Sequence, residues 1–239
     1  MATPRLSPDT PIADKNADVL GRSTLAALIA AEVTAAPPDS GIVIGLMGPW
    51  GSGKTSVLNL VESELAEDVE VLRFNPWWFS GAPELLTRFF AELAAVLRNS
   101  DDEQLRAAAG TVLAYGSAIA PLLKLAFGAR GEAVGELITG AGEADIANQP
   151  SARDQYEGLR AELSRSERRI VVVVDDIDRL TPDEIREVVR LVKLVGELPN
   201  VSYLLAFDRR RVEAALDDGR AYLEKIIQVP HDLPFVAPA

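Results

Sequence analysis

The sequence predicts an α/β domain: a three-layer sandwich around a five-stranded, mainly parallel sheet, with a helical insertion. Three observations predict it. Short apolar runs recur at 41–47 (GIVIGLM), 69–74 (VEVLRF), 171–174 (VVVV), 201–207 (VSYLLAF) and 226–229 (IIQV), as expected of strands covered on both faces. Segments of helical spacing separate these runs, which is the order that builds a parallel sheet between helical layers. Finally, 48% of the 239 residues are hydrophobic and the mean hydropathy is +0.09, so the chain is able to bury a core.

In chain order, residues 1–18 are rich in Pro, Asp and Thr and form an extended arm. A helix over 23–35 is ended by Pro37 and Pro38. The first strand follows at 41–47. Over 54–65, Val57, Leu58 and Val61 share one side and Leu65 follows a turn later, which is a helix. VEVLRF is the second strand. Ser80, Pro83 and Glu84 carry helix-start chemistry, and Leu85, Leu86, Phe89, Phe90, Leu93, Val96 and Leu97 then recur at helical spacing. Residues 99–150 break the alternation as an insertion. A helix over 152–165 leads into the valine strand. Thr181, Pro182, Asp183 and Glu184 make a capping box with proline at the first helical position. The helix after it buries Ile185, Val188, Val189, Val192 and Val195. VSYLLAF is the fourth strand, a short helix occupies 209–216, and IIQV is the fifth strand.

Composition excludes several kinds of chemistry. The chain has no cysteine, so disulfides, thiolate nucleophiles and cysteine-held metals are excluded. His231 is its one histidine, which leaves no basis for a histidine zinc site or a Ser-His-Asp triad. The net charge is −12 and the sequence pI about 4.6, against general nucleic-acid binding, which needs a basic surface. The N-terminal twenty residues lack the apolar core of a signal peptide, which points to the cytoplasm.

Between the first strand and its helix stands GPWGSGKT, which fits G-x-x-x-x-G-K-[ST] in full. Glycines at 48, 51 and 53 let the backbone curl with its N–H groups inward toward phosphate oxygens. The helix N-terminus adds partial positive charge. Lys54 is the residue to reach the β- and γ-phosphates, and the Thr55 hydroxyl the candidate Mg²⁺ ligand. The candidate nucleotide contacts are Gly48, Pro49, Trp50, Gly51, Ser52, Gly53, Lys54, Thr55 and Ser56. The alternative is a glycine-rich turn with a chance lysine; a strand before and a helix after are the context the motif requires.

Such a loop calls for an acid at the tip of an apolar strand to complete its Mg²⁺ site. VVVVDDIDRL puts Asp175, Asp176 and Asp178 there. Asp175 is the candidate metal partner, acting through water because Mg²⁺ keeps much of its hydration shell. Asp176 is placed to orient or deprotonate an attacking water. Asp178 has no clear part. A calcium loop starting at Asp176 would reach Glu187 at its twelfth position, but Leu180 and Thr181 replace its fifth-position ligand and its glycine. A DxDx[TV] phosphatase is opposed by Leu180 and leaves the phosphate loop unexplained. A solvated strand end followed by a helix cap stays open, above all for Asp178.

GLMGPWGSGKTS, FNPWWFSG, VVVVDDIDRL and YLEKIIQVPHDLP occur in the order seen in the KAP family of P-loop NTPases, and DTPIADKNADVLGR resembles the segment that precedes the phosphate loop there. The resemblance covers nearly the whole chain. It implies one domain over 1–239: an arm and helix (1–40), a phosphate-loop half (41–98), the insertion (99–150), and an acidic-strand and sensor half (151–239). It also implies a core whose Asp175 strand lies between the phosphate-loop strand and another, ATP as the nucleotide, and Asp176 in the place usually held by a catalytic glutamate. Asp208 would be the polar sensor at the tip of the VSYLLAF strand, and residues 18–22 would lie near the adenine. Bacterial relatives include phage-exclusion proteins. Many members insert membrane-spanning helices between the second strand and the acidic strand, and others continue into a helical region after the sheet.

Residues 107–123 carry no charge. As a helix they span about 25 Å, short of a bilayer core of about 30 Å. A second apolar piece at 133–142 is shorter and contains Glu136. The insertion reads as a helical pair packed on the domain; contact of 107–127 with a membrane surface or a partner, or a true span, stays open. Trp77, Trp78 and Phe79 are either packing residues or a platform near the phosphates or a partner, and Asn75 is a candidate for a polar role. Arg179, Arg209, Arg210, Arg211 and Lys225 are candidate cations for the transition state, Arg179 with the alternative of pairing with Asp176 or Asp178. The function these residues imply is a Mg²⁺-dependent ATPase working as a switch or in assembly, through self-association or a protein partner. The alternatives are a nucleotide-binding regulatory module without turnover and a P-loop kinase.

Overall fold

The computed structural model describes residues 10–79, 85–128 and 151–234. Ser80, Pro83 and Glu84, and the apolar piece at 133–142, lie outside the described residues.

The sheet has the strands β1 (Ile42–Met47), β2 (Val69–Phe74), β3 (Arg169–Val174), β4 (Val201–Phe207) and β5 (Val229–Asp232), all parallel, in the order β2-β3-β4-β1-β5. β4 therefore separates β3 from β1, and the direct neighbours of the Asp175 strand are β2 and β4. The register brings the strand ends to one edge. Phe74 is opposite Val174, Val174 opposite Leu205, and Met47 opposite Phe207. Gly48, Asn75, Asp175 and Asp208, which follow these strands, thus emerge on the same side, where open α/β sheets carry their ligands.

Alternation along the strands divides the core in two. Ile44, Leu46, Val171, Val173, Leu204 and Ala206 face α1 (Ser23–Ala35) and α2 (Lys54–Glu64). Val43, Met47, Val172, Val174, Tyr203, Leu205 and Phe207 face the other layer. That layer holds α3 (Leu85–Asn99), α4 (Glu103–Gly128), α5 (Ala152–Leu163), α6 (Pro182–Val195), α7 (Arg209–Ala215) and α8 (Gly219–Ile226). The capping box of α6 forms as its sequence predicts: the Thr181 hydroxyl accepts from Glu184 N–H, and the Glu184 carboxylate accepts from Thr181 N–H.

The fifth strand differs from the IIQV expectation. Leu223 and Ile226 are three residues apart, bury the same side of a helix and belong to α8, which the sequence reading missed. Gln228 pairs with Val43 through both its backbone and its side chain, and the ladder begins at Val229.

In the insertion, α4 packs Leu105, Ala108, Ala109, Val112, Tyr115 and Ile119 into the core shared with α3. Gly116 is required there, because a Cβ would stand 2.6 Å from the Phe90 ring. Among the described residues, no helix is long and apolar enough to cross a membrane. In the turn after β2, Pro76 is buried and Phe79 stacks on Phe74 at 5.7 Å. Trp77 and Trp78 do not join them; they are 48% and 74% exposed. The packing alternative thus holds for Phe79 but not for the two tryptophans.

Candidate functional site

Gly48 ends β1 with its N–H donated to Phe207 O at 3.0 Å, tying the start of the loop to β4. A Cβ on Gly48 would lie 2.6 Å from Ser52 Oγ, so the first turn closes only around glycine. Gly53 precedes α2 at φ 88°, a left-handed conformation that costs glycine little. The loop therefore opens α2 with its first amide groups unpaired by the helix itself, a setting suited to an anion.

Lys54 is the first residue of α2 and is 8% exposed. Its Nζ donates to Gly48 O at 3.0 Å and lies 4.0 Å from Asp178 Oδ1. Asp178 is itself 4% exposed. A buried charge is tolerated only beside a partner, so the third acid of the DDID stretch serves as the counter-charge of Lys54. Thr55 Oγ1 donates to Asp175 Oδ2 at 2.8 Å. Burial pushes the Asp175 carboxyl up, and the charge of Asp176 adds to that; the Thr55 hydroxyl, the Asp176 N–H and Lys54 oppose it. A cation would relieve this unfavourable burial, and hydroxyl plus carboxylate oxygens are the donor types Mg²⁺ takes. The residues present thus fit the ion.

Asp176 has φ 60°, a conformation uncommon outside glycine. Both its oxygens are engaged. Asn75 Nδ2 donates to Oδ2 at 3.0 Å, and Arg179 Nε pairs with Oδ1 at 2.7 Å. The polar role foreseen for Asn75 and the pairing alternative for Arg179 are both realised at this carboxylate. A cavity of about 200 Å³ gathers Trp50, Gly51, Gly53, Lys54, Thr55, Ser56, Asp175, Asp176, Asp178 and Arg179, with Thr10 and Pro11 of the arm at its rim. Ile12 N–H donates to Ser56 Oγ at 3.2 Å, and Asn59 Nδ2 to Ile12 O at 2.9 Å. No local signal in the arm announces that contact.

Asp208 is not in this group. It caps α7, accepting from Arg210 N–H at 2.9 Å. With Gly48, Pro49, Arg209, Arg210 and Asp232 it lines a separate cavity of about 550 Å³. Arg209 lies 3.3 Å from Asp232, while Arg210, Arg211 and Lys225 are exposed. In the 18–22 segment, Asp18 accepts from both the N–H and the hydroxyl of Ser23, which holds its carboxyl down to about 2. Arg22 donates to Pro234 O at 2.9 Å.

A parallel sheet of this order, a glycine-rich loop opening α2 and acids at the tip of β3 define the P-loop class of nucleotide-binding domains. The model of the KAP family P-loop domain matches residues 11–237, and the chain belongs to that family. The chain is 31% identical to the Phage T7 exclusion protein of Escherichia coli (strain K12) over 260 aligned positions, covering 95% of this chain and 34% of that protein. It thus spans about a third of the length of this curated relative. Similar solved structures include the Aeropyrum pernix ORC2 protein in ADPNP–ADP complexes (TM-score 0.48, 15% identity, 93% of this chain and 50% of that one). Another is the Aeropyrum pernix ORC1 protein in complex with DNA (TM-score 0.43, 17% identity, 90% of this chain and 45% of that one).

Proposed function

We propose that the chain binds and hydrolyses ATP, and that hydrolysis works a switch or an assembly step. The observation that carries this reading is the meeting of Lys54, Thr55, Asp175 and Asp176 in one cavity at the sheet edge. Lys54 and the loop N–H groups hold the β- and γ-phosphates and stabilise the charge that develops on them. Thr55 and Asp175 hold Mg²⁺, which when bound neutralises phosphate charge. Asp176 orients a water and takes its proton as the water oxygen bonds to the γ-phosphorus and the bond to the β-phosphate oxygen breaks. Asp208 is the sensor proposed at the tip of β4. The name of the curated relative supports phage exclusion as the process served. The proposal extends to the cytoplasm as location and to self-association or a protein partner, with no general nucleic-acid binding.

Phosphate release from ATP tests the reading. Wild-type protein should release phosphate and Asp176→Asn should not; equal, near-zero rates in both would refute hydrolysis. A second reading, a regulatory module that holds ATP without turnover, draws on the engagement of both Asp176 oxygens by Asn75 and Arg179. ATP affinity retained beside absent phosphate release would select it. Intact ATP affinity in Lys54→Ala would refute the site in either reading.

A further inference from the structure

FNPWW and DDIDR are distant in sequence and meet at Asp176. Asn75 donates to Asp176 Oδ2 at 3.0 Å, and the carbonyl of the same side chain accepts from Trp77 N–H at 3.1 Å. On the other oxygen, Arg179 pairs at 2.7 Å while its guanidinium stands 5.5 Å from the centroid of the Trp77 ring. That separation is within cation–π range, and the indole face is the best aromatic acceptor for a cation. One turn therefore reaches both carboxylate oxygens, directly through Asn75 and through an arginine seated on Trp77. Packing does not explain this indole, since Pro76 and Phe79 fill the core side of the turn and Trp77 stays half exposed. Asp176 itself has a left-handed backbone and no side-chain cap bond to the turn it begins, so its carboxylate depends on neighbours for orientation.

We propose that Arg179, held over the Trp77 ring, is a positioning residue that fixes the orientation of the Asp176 carboxylate for the attacking water. This assignment rests on the hydrolase reading. A guanidinium suits the task because it is planar and binds a carboxylate and an aromatic face together; an ammonium has no plane to transmit. Arg179 acts on Asp176 within the same chain, and Trp77 is the second half of the device.

Steady-state turnover of five variants in the full chain tests this. Arg179→Ala and Trp77→Ala should each lower kcat about tenfold with KM for ATP unchanged, because orientation and not binding is lost. The double variant should fall no further than Arg179→Ala alone, since both changes remove one device. Trp77→Phe keeps an aromatic face and should recover most of kcat, and Trp78→Ala should match wild type. A second readout needs no turnover. In a Trp50→Phe/Trp78→Phe protein without nucleotide, Trp77 emission should shift on Arg179→Ala and on Asp176→Ala. Wild-type kcat in Trp77→Ala, losses that multiply in the double variant, or emission indifferent to both substitutions would overturn the assignment. A wild-type protein that binds ATP but releases no phosphate overturns the hydrolase reading instead, and the emission measurement still decides whether Trp77, Arg179 and Asp176 are coupled.

Discussion

β3 and β4 lie side by side, end at the same edge and are each followed by aspartate, yet the two tips use it differently. After β3 the chain makes a short turn (Ile177–Arg179) before α6 begins, and α6 has its own cap in Thr181. Asp175 and Asp176 before that turn are left to face Thr55, Asn75 and Arg179, and Asp178 within it to face Lys54. After β4 the helix begins at once, at Arg209, and Asp208 is its cap. A carboxylate at a strand end is thus available to a ligand where the next helix is capped by another residue. At β4, where it is not, the carboxylate is spent on the cap through the Arg210 N–H, whereas the Asp175 carboxylate also meets the Thr55 hydroxyl of the phosphate loop.

The largest effect tests whether the β3 tip and the phosphate loop form one site. Lys54→Ala should abolish measurable ATP binding by calorimetry, and it should leave Asp178 as a buried carboxylate without its counter-charge. That loss costs stability on the order of 3 kcal/mol, so Lys54→Ala/Asp178→Asn should melt higher than Lys54→Ala alone. Asp176→Asn comes next, with phosphate release falling about 100-fold or more. Asp175→Asn should remove the response of turnover to added Mg²⁺; an undiminished response would transfer the metal away from β3.

Asp208 is the point at which the comparison breaks or holds. Asn can still cap a helix, whereas Ala cannot, at a cost of about 1 kcal/mol. Asp208→Asn should therefore keep the melting temperature and lower turnover less than Asp176→Asn does, while Asp208→Ala should lower both. Wild-type turnover in Asp208→Asn would reduce Asp208 to a cap. The smallest effect concerns the strands themselves. Every residue of β3 after Arg169 is Ile or Val, but β4 buries Tyr203, whose hydroxyl has no hydrogen-bond partner among the described residues. Leaving such a group unpaired costs about 1 kcal/mol or more. Tyr203→Phe should accordingly be neutral or raise stability slightly in urea unfolding; a clear loss would mean that the hydroxyl is satisfied.

By itself the sequence determined what depends on local spacing. The helix over 54–64 shows in the positions of Val57, Leu58 and Val61, the start of α6 in its capping box, and the phosphate loop in eight consecutive residues. Asp175 and Asp176 were legible because four valines before them mark a strand that ends there. IIQV misled because a short apolar run has no period of its own, and a helix took Ile226. Tertiary structure alone decided which strand neighbours which and what each polar side chain meets. Thr55 and Asp175 are 120 residues apart, Asn75 and Asp176 101, and Ile12 and Ser56 44. Such contacts depend on the order and register of parallel strands, and an apolar run does not encode its partner. Trp77 makes the same point: Phe79 took the place against Phe74, the indole was left outside, and the arginine over its ring is the one that holds Asp176.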